Sequence, residues 1–161
     1  MLSDDLRAVM VRDLRAVARE VSAYPSDQAL WLSVRGIANS GGTLALHLAG
    51  NLRHFVGNVL GGSGYVRNRE DEFGRRGTSR AEMVQEIEAT ITAVEQALTQ
   101  VTDVKWYAEY PLELGGRRLS NARFALHLSA HLAYHLGQMD YHRRIVAPES
   151  GTAATMSLTE L

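Results

Sequence analysis

The sequence predicts an all-α protein: a four-helix bundle with a long loop between helices two and three and a short extended or hairpin segment before helix four. Three observations carry this. Apolar residues recur at steps of three and four in four separate segments, the period of helices buried on one face. Serines that can cap a helix stand before three of those segments. The chain of 161 residues is also long enough to bury one sizeable core.

The first helix carries Leu2, Leu6, Val9, Met10, Leu14, Val17 and Val21 on one face and ends near Tyr24-Pro25. A residue before proline is pushed out of the helical region, which sets that boundary. A loop from "PSDQ" to "GIANSGG" follows, with Ser40 or Asn39 as the next cap. The second helix includes Leu44, His47, Leu48, Leu52, Phe55, Val56 and Val59.

Next comes "NVLGGSGYVRNREDEFGRRGTSR", rich in glycine and charge and without a period. Its length exceeds the usual connection and implies a functional or crossover role, with a departure from simple up-down order. Ser79 and Glu82 form a capping-box pattern that opens the third helix, with Val84, Ile87, Ile91, Val94, Leu98 and Val101.

In "VTDVKWYAEYPLELGGRRLS", Val104, Trp106, Ala108, Tyr110, Leu112 and Leu114 alternate with mostly polar residues, the period of an extended segment. Pro111 argues against a long central strand, so a hairpin or an arm over the bundle is expected, with Trp106, Tyr107 and Tyr110 buried against it. Ser120 caps the last helix, Asn121 to about Val146, which stops before Pro148. One bundle domain over 1–147 and a tail over 148–161 are expected.

Hydrophobic residues make up 45%, charged residues 22%, and the formal net charge is -1. No global basic field recruits nucleic acid or an anionic membrane surface. The absence of cysteine excludes disulfides, thiolate zinc sites and a cysteine nucleophile. The N-terminus is charged every few residues and has no apolar signal region, and no apolar run spans a membrane, so a cytoplasmic protein is expected.

The segment "HLSAHLAYHLGQ" places His127, His131 and His135 four residues apart. Each such step leaves neighbours about 40° apart on a helix, with Cβ atoms about 6 Å apart. Two imidazoles so placed can hold one metal ion from the same side. The three span roughly 12 Å along the axis, too far to close on one ion. A site therefore needs two adjacent histidines and a third from another helix. His47, in "TLALHLAGNL", is the leading donor, and His54, two turns along, is its competitor. Spacing alone leaves His127/His131 and His131/His135 open, as it does a hydrogen-bonded histidine face without metal.

The segments "LALHLAGNLRHFVG", "GGSGYVRNREDEF" and "HLAYHLGQMDYHRRI" together resemble the DinB/YfiT-like family of metal-dependent enzymes, of the damage-inducible Bacillus type. The resemblance runs from "GIANSGGTLALH" to "YHRRI". It implies a four-helix bundle with one histidine ligand from helix two and a His-x-x-x-His pair before a Gly-Gln on the last helix. Those positions are His47, His131 and His135, the last followed by Leu136-Gly137-Gln138. His127, His54 and His142 then fall outside the motif.

Three neutral imidazoles leave a metal position open, and Zn²⁺ or Ni²⁺ suits them. The resemblance implies a transferase or detoxification activity on a small electrophile, with a low-molecular-weight thiol as cosubstrate. The alternatives are a hydrolase that activates water on the metal and a non-enzymatic metal-binding stress protein; a homodimer is expected. Neither Asp nor Glu stands three or four residues from any of the three histidines, which suits a thiol better than hydrolysis. Asn51 and Gln138, one turn from His47 and His135, are placed to hydrogen-bond those ligands, and Asp13 is a carboxylate that could reach in. Arg67, Arg69, Arg75 and Arg76, interleaved with Glu70, Asp71 and Glu72, read as a solvated ion-pair cluster, or as a grip for a carboxylate-bearing thiol.

Overall fold

A computed structural model of the chain describes residues 1–153 and 157–161. Four long helical segments make the bundle: α1 (Leu2–Ala23), α3 (Gly41–Leu52), α5 (Arg80–Thr99) and α7 (Asn121–Val146). The helix of α3 runs on as a π-helix over Arg53–Leu60. Short helices α2 (Asp27–Leu30), α4 (Arg69–Gly74) and α6 (Asp103–Tyr107) lie in the connections.

The capping chemistry is where the sequence puts it. Ser40 Oγ accepts from the Thr43 amide, Ser120 Oγ from the Arg123 amide, and Ser79 with Glu82 closes a full capping box. The apolar stripes meet in one core that includes Met10, Leu14, Val17, Leu48, Leu52, Ile87, Leu98, Leu132 and Met139. Inside it lies one ion pair buried on both sides, Arg143 Nε on Glu20 Oε2 at 2.5 Å.

Helix α1 packs against α5 and α7, and α3 packs against the same two. Helices α1 and α3 therefore sit diagonally across the bundle, a departure from simple up-down order. The long second connection is not its source, since it joins the neighbours α3 and α5; the first and third connections make the diagonal steps, α1 to α3 and α5 to α7.

Two expectations need correction. The alternation from Val104 to Trp106 is not extended: Thr102 caps the Lys105 amide and the segment forms α6. Val104 and Tyr107 face solvent, while Trp106 is buried with its indole N–H donating to Ser3 Oγ at 2.8 Å. A hairpin does follow, reduced to two antiparallel bridges, Glu109 with Ser120 and Leu114 with Arg117. The second connection is also not featureless, because Asn68 caps α4 inside it. In the C-terminal segment, Arg143 holds Ser150 and Gly151, and Arg19 meets Glu160; residues 154–156 lie outside the described residues.

Candidate metal centre

Helix α3 carries His47 on a face that is buried almost throughout, and α7 carries His131 and His135 one turn apart. The packing of α3 on α7 brings the three together: one ring nitrogen from each lies within 4.8 Å of the others. His131 Nε2 stands 3.3 Å from His47 Nε2 and 3.0 Å from His135 Nε2. Two nitrogens at ordinary zinc–imidazole distance from a tetrahedral ion are about 3.3 Å apart. The spacing matches that of a ligand set.

The outer nitrogens decide which way these rings face. His47 Nδ1 lies 3.0 Å from Glu72 Oε2, and a carboxylate only accepts, so Nδ1–H donates and Nε2 presents a lone pair. His135 Nδ1 donates to Gln138 Oε1 at 2.6 Å, which turns its Nε2 inward as a second lone pair. His131 Nε2 sits between them, and its Nδ1 is buried without a hydrogen-bond partner. Neutral His131 can satisfy at most one of the two facing lone pairs. A cation satisfies all three, so the residues fit a divalent ion.

Electrostatics favour the ligating form. Burial, followed by the neighbouring His135 and His47, pushes His131 down to about 4. Burial also lowers His135, against the raising effect of Gln138. Burial raises the Glu72 carboxyl, but the hydrogen bonds from Arg67 and His47 outweigh it and hold Glu72 below the usual carboxylate range. Both Glu72 oxygens are occupied: Arg67 Nε donates to Oε1 at 2.6 Å and Arg67 Nη2 to Oε2 at 2.8 Å.

Glu72 and Arg67 are the residues that sequence reasoning missed. They read there as part of a solvated cluster, yet Glu72 is only 4% exposed and touches the triad. It comes from α4, 25 residues from His47, so a search one helical turn away could not find it. The available signal was Gly50, one turn after His47 inside a helix. A Cβ there would stand 2.2 Å from Glu72 Oε1, so the missing side chain is the space the carboxylate fills.

The remaining candidates separate cleanly. Gln138 bonds His135 as its spacing allowed, whereas Asn51 Oδ1 is buried without a partner. His127 stacks on Phe124 at 6.0 Å, and His54 packs edge-on against Phe55. His142 is buried on another face of α7, between Tyr24 Oη at 2.8 Å and the Leu32 carbonyl at 2.9 Å. Asp13 is buried but accepts from Arg12. Of the loop arginines, Arg69 lies over Phe73, Arg75 pairs with Asp71, and Arg76 binds backbone carbonyls.

A helical bundle with this diagonal order and a three-histidine cluster on α3 and α7 defines a DinB-like fold that fits a metal-binding protein. It is similar to the crystal structure of a DinB-like protein from Bacillus cereus ATCC 10987, with a TM-score of 0.67 and 18% identity over 89% of this chain and 90% of that one. The chain belongs to the DUF1572 family of proteins of unknown function, whose model matches residues 4–158. No curated protein matches it. No helix among the described residues is long and apolar enough to cross a membrane.

Proposed function

We propose that the chain is a metal-dependent transferase that joins a low-molecular-weight thiol to a small electrophile. His47, His131 and His135 hold a divalent ion, zinc or nickel by the softness of imidazole. Such an ion would supply the Lewis acidity that favours the thiolate over the thiol near neutral pH. Glu72 fixes the His47 ring through its Nδ1–H, Arg67 keeps Glu72 ionised, and Gln138 does the same orienting work for His135.

The observation that carries this reading over hydrolysis is the state of Glu72. It is the carboxylate bonded to the triad, and both of its oxygens are engaged. Activating water for attack on an ester or amide calls for a base free to take and return a proton. A thiol ionised by the cation does not.

The test is metal content together with turnover. Purified protein binds close to one zinc or nickel per chain, and His47→Ala and His131→Ala lose it. Metal-loaded protein conjugates cysteine, glutathione or coenzyme A to 1-chloro-2,4-dinitrobenzene or monobromobimane faster than the His131→Ala variant. Full metal retention by His47→Ala sinks the three-histidine assignment. Ester hydrolysis without any thiol transfer moves the assignment to the hydrolase.

A further inference from the structure

The outer face of α7 is unlike that of α1 or α5. Helix α1 turns Asp4, Arg7 and Arg15 to solvent, and α5 turns Glu82 and Glu88. On α7 no Asp, Glu, Lys or Arg stands between Arg123 and Asp140, a run of more than about four turns. The exposed side of that helix carries Leu126 at 55%, Tyr134 at 64%, Tyr141 at 70% and Ile145 at 50% exposure, with the exposed Ala130 among them. Steps of four, four, seven and four keep these five residues within about 100° of arc. Large apolar side chains gathered on one face mark a contact surface, since their joint exposure to water is unfavourable.

The stripe matches itself. Tyr134 and Tyr141 are equidistant from the Gly137–Gln138 bond, and so are Ala130 and Ile145. A two-fold axis there, perpendicular to the helix, sets Tyr134 against the partner's Tyr141 and the small Ala130 against the partner's larger Ile145, each contact made twice. Charge selects the same direction. Arg123 and Arg144 close the two ends of the face, so a parallel pair would set each arginine against its own copy. The antiparallel register puts Arg144 level with position 131 of the second copy, about 12 Å along the helix from the partner's Arg123. Asp140 meanwhile accepts from Arg144 within its own chain at 3.0 Å. Two copies of the stripe cover roughly 1,000 Å² between them, the size at which a specific interface begins.

We infer that the chain forms a two-fold dimer through an antiparallel pair of α7 helices, with Tyr134 of each copy packed on the partner's Tyr141. The tyrosines hold the helices about 10 Å apart, so a methyl on Gly137 between them is accommodated. The contact reaches the metal centre, because the Tyr134 ring lies 5.3 Å from that of His135. It also reaches a cavity of about 270 Å³ that Tyr141 lines with Gln138 and Ile37. A second copy therefore borders the approach to His135 and Gln138. The dimer does not depend on the transferase reading.

The test uses the full chain, whose lack of cysteine leaves no background for cross-linking. Sedimentation equilibrium at about 50 µM gives the mass of two chains, and Tyr141→Asp raises the dissociation constant at least about 100-fold, as loss of a central aromatic anchor does. Tyr134→Cys protein mixed with Tyr141→Cys protein forms a disulfide-linked dimer under mild oxidation, far faster than either protein alone. Each cysteine lies about 10 Å along the axis from its own copy in the partner, beyond the reach of a disulfide. Far-UV circular dichroism checks the fold of each variant; if Tyr141→Asp does not fold, Ala130→Glu takes its place. A monomer at about 50 µM, or a dimer that the charged variant leaves intact, overturns the inference. So does linking by either cysteine alone as fast as by the mixture, which a parallel pair or random collision would give.

Discussion

Alanine at Gly50 sets two effects of known sign against each other. Within a helix, Gly→Ala stabilises by about 1 kcal/mol through backbone entropy. At Gly50 the new Cβ would stand 2.2 Å from Glu72 Oε1 and 2.8 Å from Glu72 Cδ. The carboxylate must leave, and with it go the hydrogen bond from His47 and the two from Arg67. Breaking a buried charge pair costs about 3–5 kcal/mol. With the helix gain of about 1 kcal/mol subtracted, a net loss of about 2–4 kcal/mol remains. For a domain of this size that lowers Tm by roughly 10 °C. Zinc affinity falls with it by about 10–100-fold, because His47 loses the acceptor that orients it. Thermal unfolding of the metal-free protein and zinc competition against a chelator read the two effects. Gly137 on α7 is the control: nothing stands within 4 Å of a Cβ there, so Gly137→Ala shows the helix gain alone. If Gly50→Ala matches Gly137→Ala in stability and zinc affinity, Glu72 does not occupy that space and the orientation argument fails.

Glu72→Gln keeps the shape and removes the charge, so zinc affinity drops by about tenfold, the low end for a lost orienting partner; an unchanged chelator-competition curve refutes the role. The metal-free protein loses stability on acidification. His131, His135 and His142 all have folded pKa values below the unfolded histidine value. The unfolded chain therefore takes up protons first, and the contribution present above pH about 6.5 is lost as pH falls towards about 4, the folded value of His131. Urea midpoints at pH 7.5 and pH 5 measure this, and His131→Gln shows a shallower pH dependence; an equal slope in both counts against a buried neutral imidazole.

The helices and their ends were legible in the sequence because they depend on neighbours three or four residues away. Ser40, Ser79 and Ser120 cap where their spacing said they would, and α7 spans Asn121–Val146 as read. The His131–His135 relation follows from one turn of helix. His47 led over His54 by its place in "TLALHLAGNL", the resemblance named it, and the packing of α3 on α7 brings it beside His131 and His135. The extended reading of Val104 to Trp106 failed because a cap at Thr102 and burial of Trp106 outweigh a short alternation.

Local periodicity, capping and the one-turn pairing of His131 with His135 were thus determined by the sequence itself, since each is a relation along a single helix. The tertiary structure decided the rest: the diagonal order of the helices, which three of the six histidines stand together, and the arrival of Glu72 from α4 in the space left by Gly50. Those contacts join residues 25 to 84 positions apart. No helical period links such positions; they meet because α3 packs on both α4 and α7.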